Sequence, residues 1–180
     1  MSVKYSLASV AATLAAAFML HAGVSAAAAP AGCRDTRVVP VGEAARVKAS
    51  QSVLCLVNRV RAAHRLGAVR LSRPLGTAAM RHSTDMVSSK YFAHDGIGGD
   101  DLAARAREAG YPASRTVSET LVWCLDATPD FLARTLMASP PHRRIVLTRR
   151  ARDIGVGLVL GAPMEGIDGP SATLVLAFGG

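Results

Sequence analysis

The sequence predicts an α+β protein in which helices pack on an antiparallel sheet. Apolar residues recur at helical spacing through the first half of the chain, whereas two apolar, β-branched segments, 154–160 and 172–178, close it. A Gly- and Pro-rich loop at 161–170 separates these segments, so they should pair as a hairpin. About 150 residues follow an N-terminal leader, which is enough for one domain with its own core.

The first 29 residues have the pattern of a secretory signal peptide. Lys4 precedes a short apolar stretch at 6–20, and small residues at 24–31 offer cleavage sites between Ala26 and Ala29. The stretch is too short and too rich in alanine for a membrane span. We therefore expect a secreted protein, extracellular or associated with the cell envelope, with no transmembrane span after cleavage.

An N-terminal arm is expected over residues 30–50, which mix proline, glycine and charged residues, ahead of a folded domain at 51–180. Apolar residues at helical spacing predict a first helix from Ser52 to about Leu66. Gly67 ends that helix.

Four further elements are predicted between the first helix and the hairpin. A second helix begins after the N-cap Ser72 and ends near 88–90. A Gly-rich loop at 96–101 leads to a short third helix at 101–109, and an apolar run at 117–125 predicts a strand. Thr-Pro-Asp at 128–130 starts a fourth helix that ends before Pro140.

Three cysteines bear on the redox environment, because exported proteins form disulfides. We favour a Cys33–Cys55 bridge, which would tie the arm to the first helix. Cys124 would then remain, beside Trp123 in the apolar strand, as a buried and inert thiol or as an intermolecular link. No histidine or other base adjoins it, so a catalytic thiol is not expected.

The formal charge of +8 is almost all arginine. Such a charge attracts an exported protein to anionic wall polymers or lipid headgroups. A bias of the genome toward arginine codons explains it equally well. Nucleic-acid binding is not expected, because the basic residues are scattered and aromatic residues make up only 4% of the chain.

Three polar signatures give the candidate site, with His94 in YFAHDG (91–96), Glu119 in SETLVW (118–123) and His142 in SPPHRR (139–144). Two imidazoles and one carboxylate are a known catalytic zinc ligand set that leaves one position for water. Structural explanations remain open. Glu119 could bond loop amides or pair with Arg143 or Arg144, and each histidine could serve a hydrogen bond or a helix cap.

Five motifs in order resemble the CAP superfamily of cysteine-rich secretory, antigen-5 and pathogenesis-related proteins, in its bacterial extracellular branch. The family motifs F-S-H, G-E-N-[IL]-A, S-P-G-H-R, [ED]-[IV]-G-[VI]-G and a closing F-G match Phe92–His94, Ser118–Val122, Ser139–Arg143, Asp153–Gly157 and Phe178-Gly179. The similarity covers about residues 52–180.

This resemblance implies a three-layer α-β-α sandwich around a mostly antiparallel sheet. It also implies a cavity lined by histidine and glutamate, with His94, Glu119 and His142 as corners and as ligands of a divalent metal such as zinc. The chain departs from the family at four positions: Ser118 and Thr120 replace glycine and asparagine, Leu136 replaces tryptophan, and Ser139 replaces the second glutamate of eukaryotic members.

Three functions follow as hypotheses. The first is binding of a small apolar ligand, a divalent metal or an envelope component, since CAP members bind sterols, fatty acids, proteins and, in some cases, metal. The second is a metal-assisted extracellular hydrolase with Glu119 as base or ligand, although the family has no shared accepted reaction. The third is a structural, wall-associated protein. We favour binding over catalysis.

Overall fold

The computed structural model describes residues 32–167 and 169–180, and in this part of the chain it contains five helices and one four-stranded sheet. The predicted signal peptide, 1–29, lies outside the described residues. The elements in chain order are α1 Glu43–Ala63, β1 Arg70–Leu71, α2 Arg73–Ser89, α3 Leu102–Glu108, β2 Val117–Cys124, α4 Pro129–Ala138, α5 Pro140–Val146, β3 Asp153–Leu160 and β4 Ala172–Gly179.

The sheet is mixed, with strand order β1-β3-β4-β2. Strands β3 and β4 form the predicted antiparallel hairpin, with Val156 opposite Leu176, and β2 pairs antiparallel with the other edge of β4. Strand β1 runs parallel to β3. The sequence analysis missed β1 because two residues are too few to show an alternating pattern.

The expected α-β-α sandwich is confirmed by two separate cores. Side chains alternate along a strand, so Leu174, Leu176 and Phe178 of β4 face α1, α4 and α5, whereas Val175 and Ala177 face α2 and α3. All five side chains are buried. The sheet therefore lies between two helical layers, as the resemblance implied.

Two glycines of β3 let helix α2 lie directly on the sheet. A Cβ on Gly155 would lie 2.1 Å from the carbonyl carbon of Leu75, and one on Gly157 would lie 2.2 Å from the carbonyl oxygen of Ala79. Any side chain at either position would collide with the helix backbone. The DIGVG motif is thus a packing motif, and it positions α2 behind the candidate site.

Helix boundaries differ from the sequence analysis at two places. Helix α1 begins at Glu43, ahead of the predicted Ser52. The sequence analysis missed its first turns because they are largely exposed and show no apolar periodicity. Helix α4 matches the prediction, but the chain starts another helix, α5, directly at Pro140. Proline fits the first position of a helix as well as it ends a preceding one. His142 therefore lies in the first turn of α5.

The predicted Cys33–Cys55 disulfide is present. Cys124 has no disulfide partner among the described residues, and it is only partly buried at the end of β2, not fully buried as the sequence analysis expected. Burial still raises the pKa of its thiol to about 11, which keeps the thiol protonated and unreactive at neutral pH. Among the described residues, no helix has the length and apolar character needed to cross a membrane.

Candidate functional site

Glu119 lies on β2 with its carboxylate buried between the sheet and α3. The residue is 6% exposed, and both carboxylate oxygens lie 3.1 Å from Nη2 of Arg105. The sequence analysis offered Arg143 or Arg144 as partner, and the structure corrects this to Arg105. A buried carboxylate needs such a partner, because desolvation of an unpaired charge is costly.

Arg105 connects the polar loop that precedes α3 to the sheet. Its guanidinium donates to the carbonyl oxygen of Asp100 at 2.6 Å and to that of His94 at 3.0 Å, besides the carboxylate of Glu119. The helix is placed by its N-cap, where the Asp101 carboxylate accepts from the amide of Ala104 at 2.7 Å. Arg105 therefore holds loop, helix and strand in one hydrogen-bonded unit.

His94 lies in the loop after α2, beside Glu119. Its Nδ1 donates to Oε1 of Glu119 at 3.0 Å, while 62% of the side chain remains exposed. The ring borders an open cleft of about 330 Å³ that is also lined by Asp95, Asp101 and Ser118. An imidazole oriented by a carboxylate in this way keeps its other nitrogen free to accept a hydrogen bond.

His142 lies near His94 and Glu119 but forms no hydrogen bond with either in the described part of the chain. Burial, and next the electrostatic effect of His94, lower the pKa of His142, so the two rings are electrostatic neighbours. No hydrogen bond within residues 32–167 and 169–180 connects His142 to Glu119, and its buried Nδ1 has no partner there. The structure thus joins His94 to Glu119 directly and leaves His142 as a neighbour that is not bonded to either residue.

His82 supports the site from behind. It is 1% exposed, and its Nε2 donates to the carbonyl oxygen of Ala93 at 3.0 Å. Burial, followed by the nearby charge of Arg105, lowers its pKa. Tyr91 anchors the same loop by donating to the carboxylate of Asp85. These contacts fix the backbone that immediately precedes His94.

The groups around Glu119 would compete with a zinc ion for its carboxylate. Within the described ranges, no group of three or more His, Cys, Asp or Glu side chains is placed to hold a metal. The carboxylate of Glu119 already contacts a guanidinium and an imidazole, and a divalent cation would be repelled by the fixed charge of Arg105. The metal site predicted at His94, Glu119 and His142 stays a prediction, and zinc titration tests it.

The sequence analysis missed Arg105, although the sequence carries a signal for it. In α3, Leu102, Arg105 and Ala106 lie at spacings of three and four and are all buried. An arginine on the apolar face of a short helix indicates a buried cation, which needs an anion. Glu119 in an otherwise apolar strand is that anion.

A second concave surface, the α1–α4 groove, lies on the opposite side of the sheet. It has a volume of about 420 Å³ and is lined mainly by apolar side chains, with charged residues at its edge: Leu56, Val60, Ala63, Ala133, Met137, Arg59, Asp130 and Arg134. Its floor is closed by the buried side chains of Val57, Leu136 and Val146. The sequence analysis did not identify this groove, because its lining comes from two helices distant in the chain.

The edge of the α1–α4 groove carries two arginines in different states. Arg134 pairs with Asp130 at 3.2 Å and lies over the ring of Phe131, 5.8 Å from its centroid. Arg59 is exposed and forms no ion pair with any described residue. The groove thus combines an apolar floor with one uncompensated cation.

Comparison with protein families finds one match: the model of the cysteine-rich secretory protein family, CAP, matches residues 54–164. This range includes His94, Glu119 and His142. No curated protein sequence matches the chain.

Two solved structures share the fold. An outer surface protein of Borrelia burgdorferi aligns with a TM-score of 0.59 and 16% identity, over 71% of this chain and 88% of that one. An extracellular protein of Bacillus anthracis that contains an SCP domain aligns with a TM-score of 0.56 and 20% identity, over 76% of this chain and 44% of that one. The chain therefore corresponds to less than half of the Bacillus protein.

Proposed function

Because the chain belongs to the cysteine-rich secretory protein (CAP) family, we propose that it is an exported protein that binds a small amphiphilic ligand without transforming it. Export is supported by the signal-peptide pattern of residues 1–29 and by the Cys33–Cys55 disulfide, which is typical of oxidising compartments. The binding site we propose is the α1–α4 groove.

The observation that carries this proposal is the apolar lining of the groove next to an unpaired cation. A volume of about 420 Å³ lies within the range of small-molecule sites. Leu56, Val60 and Met137 are only partly buried, so a ligand would cover apolar surface that water now contacts. The guanidinium of Arg59 would attract an anionic head group. An alkyl chain with a carboxylate at one end fits both features.

The polar site supports binding rather than hydrolysis as well. A metal-assisted hydrolase needs Glu119 as a ligand or a base, and the carboxylate is instead held by Arg105 at 3.1 Å. Its oxygens are thus already engaged by donors of the protein itself. We therefore assign Glu119 and His94 to the support of the loop at 91–101, and the hydrolase becomes the less favoured alternative.

Titration of the oxidised protein with a fluorescent fatty acid, cis-parinarate, tests the proposal. We expect saturable binding that weakens at least about tenfold in Ala133→Phe, which fills the groove, and several-fold in Arg59→Gln, which removes the head-group cation. Arg107→Gln is the matched control, since Arg107 is exposed on α3 and lies outside the groove.

Equal affinity in all four proteins would disprove the α1–α4 groove as the site. Thermal melting of each variant separates a filled groove from a damaged fold. Absence of binding in the natural sequence would disprove the ligand class.

A further inference from the structure

Five exposed arginines lie within ten residues at the junction of α5 and β3: Arg143, Arg144, Arg149, Arg150 and Arg152. We call them the arginine surface. The segment 143–152 contains no acidic residue, and none of the five forms an ion pair with any residue in the described part of the chain. Much of the net charge of +8 is therefore concentrated and uncompensated at one place.

A sixth, buried arginine holds this surface in shape. Arg61 of α1 is fully buried, and its guanidinium donates to the carbonyl oxygens of Val146 at 2.7 Å, Thr148 at 3.0 Å and Ala151 at 3.4 Å. Its Nε donates to the carbonyl oxygen of Gly67 at 2.9 Å. One side chain thus fixes the backbone that carries the exposed arginines.

Contacts within the segment add to this order. The hydroxyl of Thr148 donates to the carbonyl oxygen of Arg144 at 3.2 Å, and Nη1 of Arg152 donates to that of Arg149 at 2.8 Å. The backbone that presents the guanidinium groups is therefore ordered before any partner arrives. Binding to a pre-ordered segment loses less conformational entropy than binding to a flexible tail.

The acidic residue that follows in the chain does not neutralise the surface. Asp153 is 7% exposed, and its carboxylate accepts from Arg70 and Tyr111 at 3.0 Å each. Arg70 itself adjoins the arginine surface, because its amide donates to the carbonyl oxygen of Arg152 at 2.9 Å. Strand β1 therefore adjoins the arginine surface, and its Leu71 is 50% exposed.

We propose that the arginine surface docks the protein onto a bilayer rich in anionic phospholipid. The planar guanidinium group matches a phosphate with paired hydrogen bonds. Clustered basic residues are attracted to anionic bilayers, each adding to the affinity. Leu71 provides an apolar contact beside the charges.

The choice of a bilayer over a soluble polyanion rests on the proposed function. Val146 connects the two regions, since its side chain closes the floor of the α1–α4 groove while its carbonyl accepts from Arg61. A groove for an amphiphile that adjoins a phosphate-binding surface suits exchange of that ligand with a membrane.

Co-sedimentation with vesicles tests the proposal. The oxidised protein is mixed with vesicles of phosphatidylcholine alone or with about one third phosphatidylglycerol, at low and high salt. We expect binding only to the anionic vesicles, and binding that weakens as salt rises. The Arg143→Gln/Arg149→Gln/Arg150→Gln variant should bind roughly 100-fold more weakly.

The matched control removes three exposed arginines elsewhere, Arg37→Gln/Arg81→Gln/Arg107→Gln, so that both variants carry the same net charge. The control should retain most of the binding. Equal loss in both variants would overturn the proposal in favour of overall charge, and so would the absence of binding to anionic vesicles. Melting temperatures confirm that both variants fold.

Two further samples separate this proposal from the proposed function. If inorganic polyphosphate binds through the three arginines and vesicles do not, the bilayer is the wrong partner. The Ala133→Phe variant should bind vesicles as the natural sequence does. If the protein binds vesicles but not the fatty acid, the proposal for the arginine surface stands and the proposed groove function fails. If it binds the fatty acid but not vesicles, only the proposed groove function stands.

Discussion

Two buried arginines, Arg61 and Arg105, carry charges that are stabilised by different kinds of partner. Arg61 is fully buried and bonded only to backbone carbonyl oxygens, four in all. Arg105 is 6% exposed and bonded to the carboxylate of Glu119 as well as to two carbonyl oxygens. One charge is solvated by dipoles, and the other is neutralised by an anion.

The different partners of Arg61 and Arg105 lead to different expected effects of substitution at the two sites. Burial, and next the charge of Arg152, lower the pKa of Arg61, since no anion offsets its charge. Its site therefore has a structural role, which is to order the backbone beneath the arginine surface. Arg105 and Glu119 form a coupled pair, so the effect of losing either charge depends on whether the other is present.

Replacing Arg61 should have the largest effect. Arg61→Met leaves the buried carbonyl groups of Val146 and Ala151 without a hydrogen-bond donor and should lower the free energy of unfolding by about 3–5 kcal/mol. Urea titration measures this. Arg59→Met, two residues earlier on the exposed side of α1, is the control and should change stability by less than about 0.5 kcal/mol. A loss below about 1 kcal/mol for Arg61→Met would mean that water reaches these carbonyl groups.

Replacing Arg105 should have the next largest effect, and a second change should reverse part of it. Arg105→Met removes the guanidinium from Glu119, leaves the buried carboxylate bonded only to His94, and should cost about 2–4 kcal/mol. In Arg105→Met/Glu119→Gln the isolated charge is gone, so we expect recovery of at least about 1 kcal/mol in a double-mutant cycle. Additive losses would refute the coupling and remove the contrast with Arg61.

Acidification should lower the free energy of unfolding, because His82 is buried and His142 is partly buried near the candidate site. The pKa values of His82 and His142 are lowered from 6.5, in both cases mainly by burial, and next by Arg105 and His94 respectively. The folded protein thus disfavours their protonated forms, while the unfolded chain binds protons near pH 6.5. The free energy of unfolding therefore carries no penalty from these two histidines well above that pH, and it decreases as the pH falls below it.

Urea titrations between about pH 8 and pH 5 measure this decline. The His82→Gln/His142→Gln variant should show a flatter dependence, because glutamine does not titrate in this range, while its side-chain amide can still donate to the carbonyl oxygen of Ala93. His64→Gln is the control, because His64 is exposed. An unchanged slope in the double variant would assign the pH dependence to other groups.

Zinc binding should give the smallest signal. Since Arg105 holds the carboxylate of Glu119, we expect no saturable one-to-one binding by calorimetry in the natural sequence, and weak binding once Arg105→Met frees the carboxylate. One-to-one binding in the natural sequence that disappears in His94→Ala/His142→Ala would reinstate the metal site predicted from the sequence and refute the role given to Arg105.

The prediction of the fold succeeded where local patterns are strong. The hairpin of β3 and β4 and helix α4 match their predicted segments closely, because periodicity and caps are properties of neighbouring residues. Strand β1 and the first turns of α1 were missed, since both lack a local apolar pattern. The Cys33–Cys55 bridge followed from the positions of only three cysteines.

The cavity and metal roles given to His94, Glu119 and His142 stay predictions. His94 and Glu119 are bonded to each other, and the buried partner of Glu119 is Arg105 on a helix that carried no motif. The α1–α4 groove was not anticipated either. Its lining combines residues from 56–63 and 130–137, which share a surface only after the two helices pack.

The sequence by itself determined the longer helices, the closing hairpin and the candidate polar residues, and it favoured the disulfide, because each depends on residue type and short spacing. Only the tertiary structure decided which charges meet. The partners of Arg61 and Arg105 lie between 5 and 90 residues away in the chain, and desolvation makes each buried guanidinium require whatever acceptors the packed sheet and loops present. Those pairings fix the backbone around the candidate site and beneath the arginine surface.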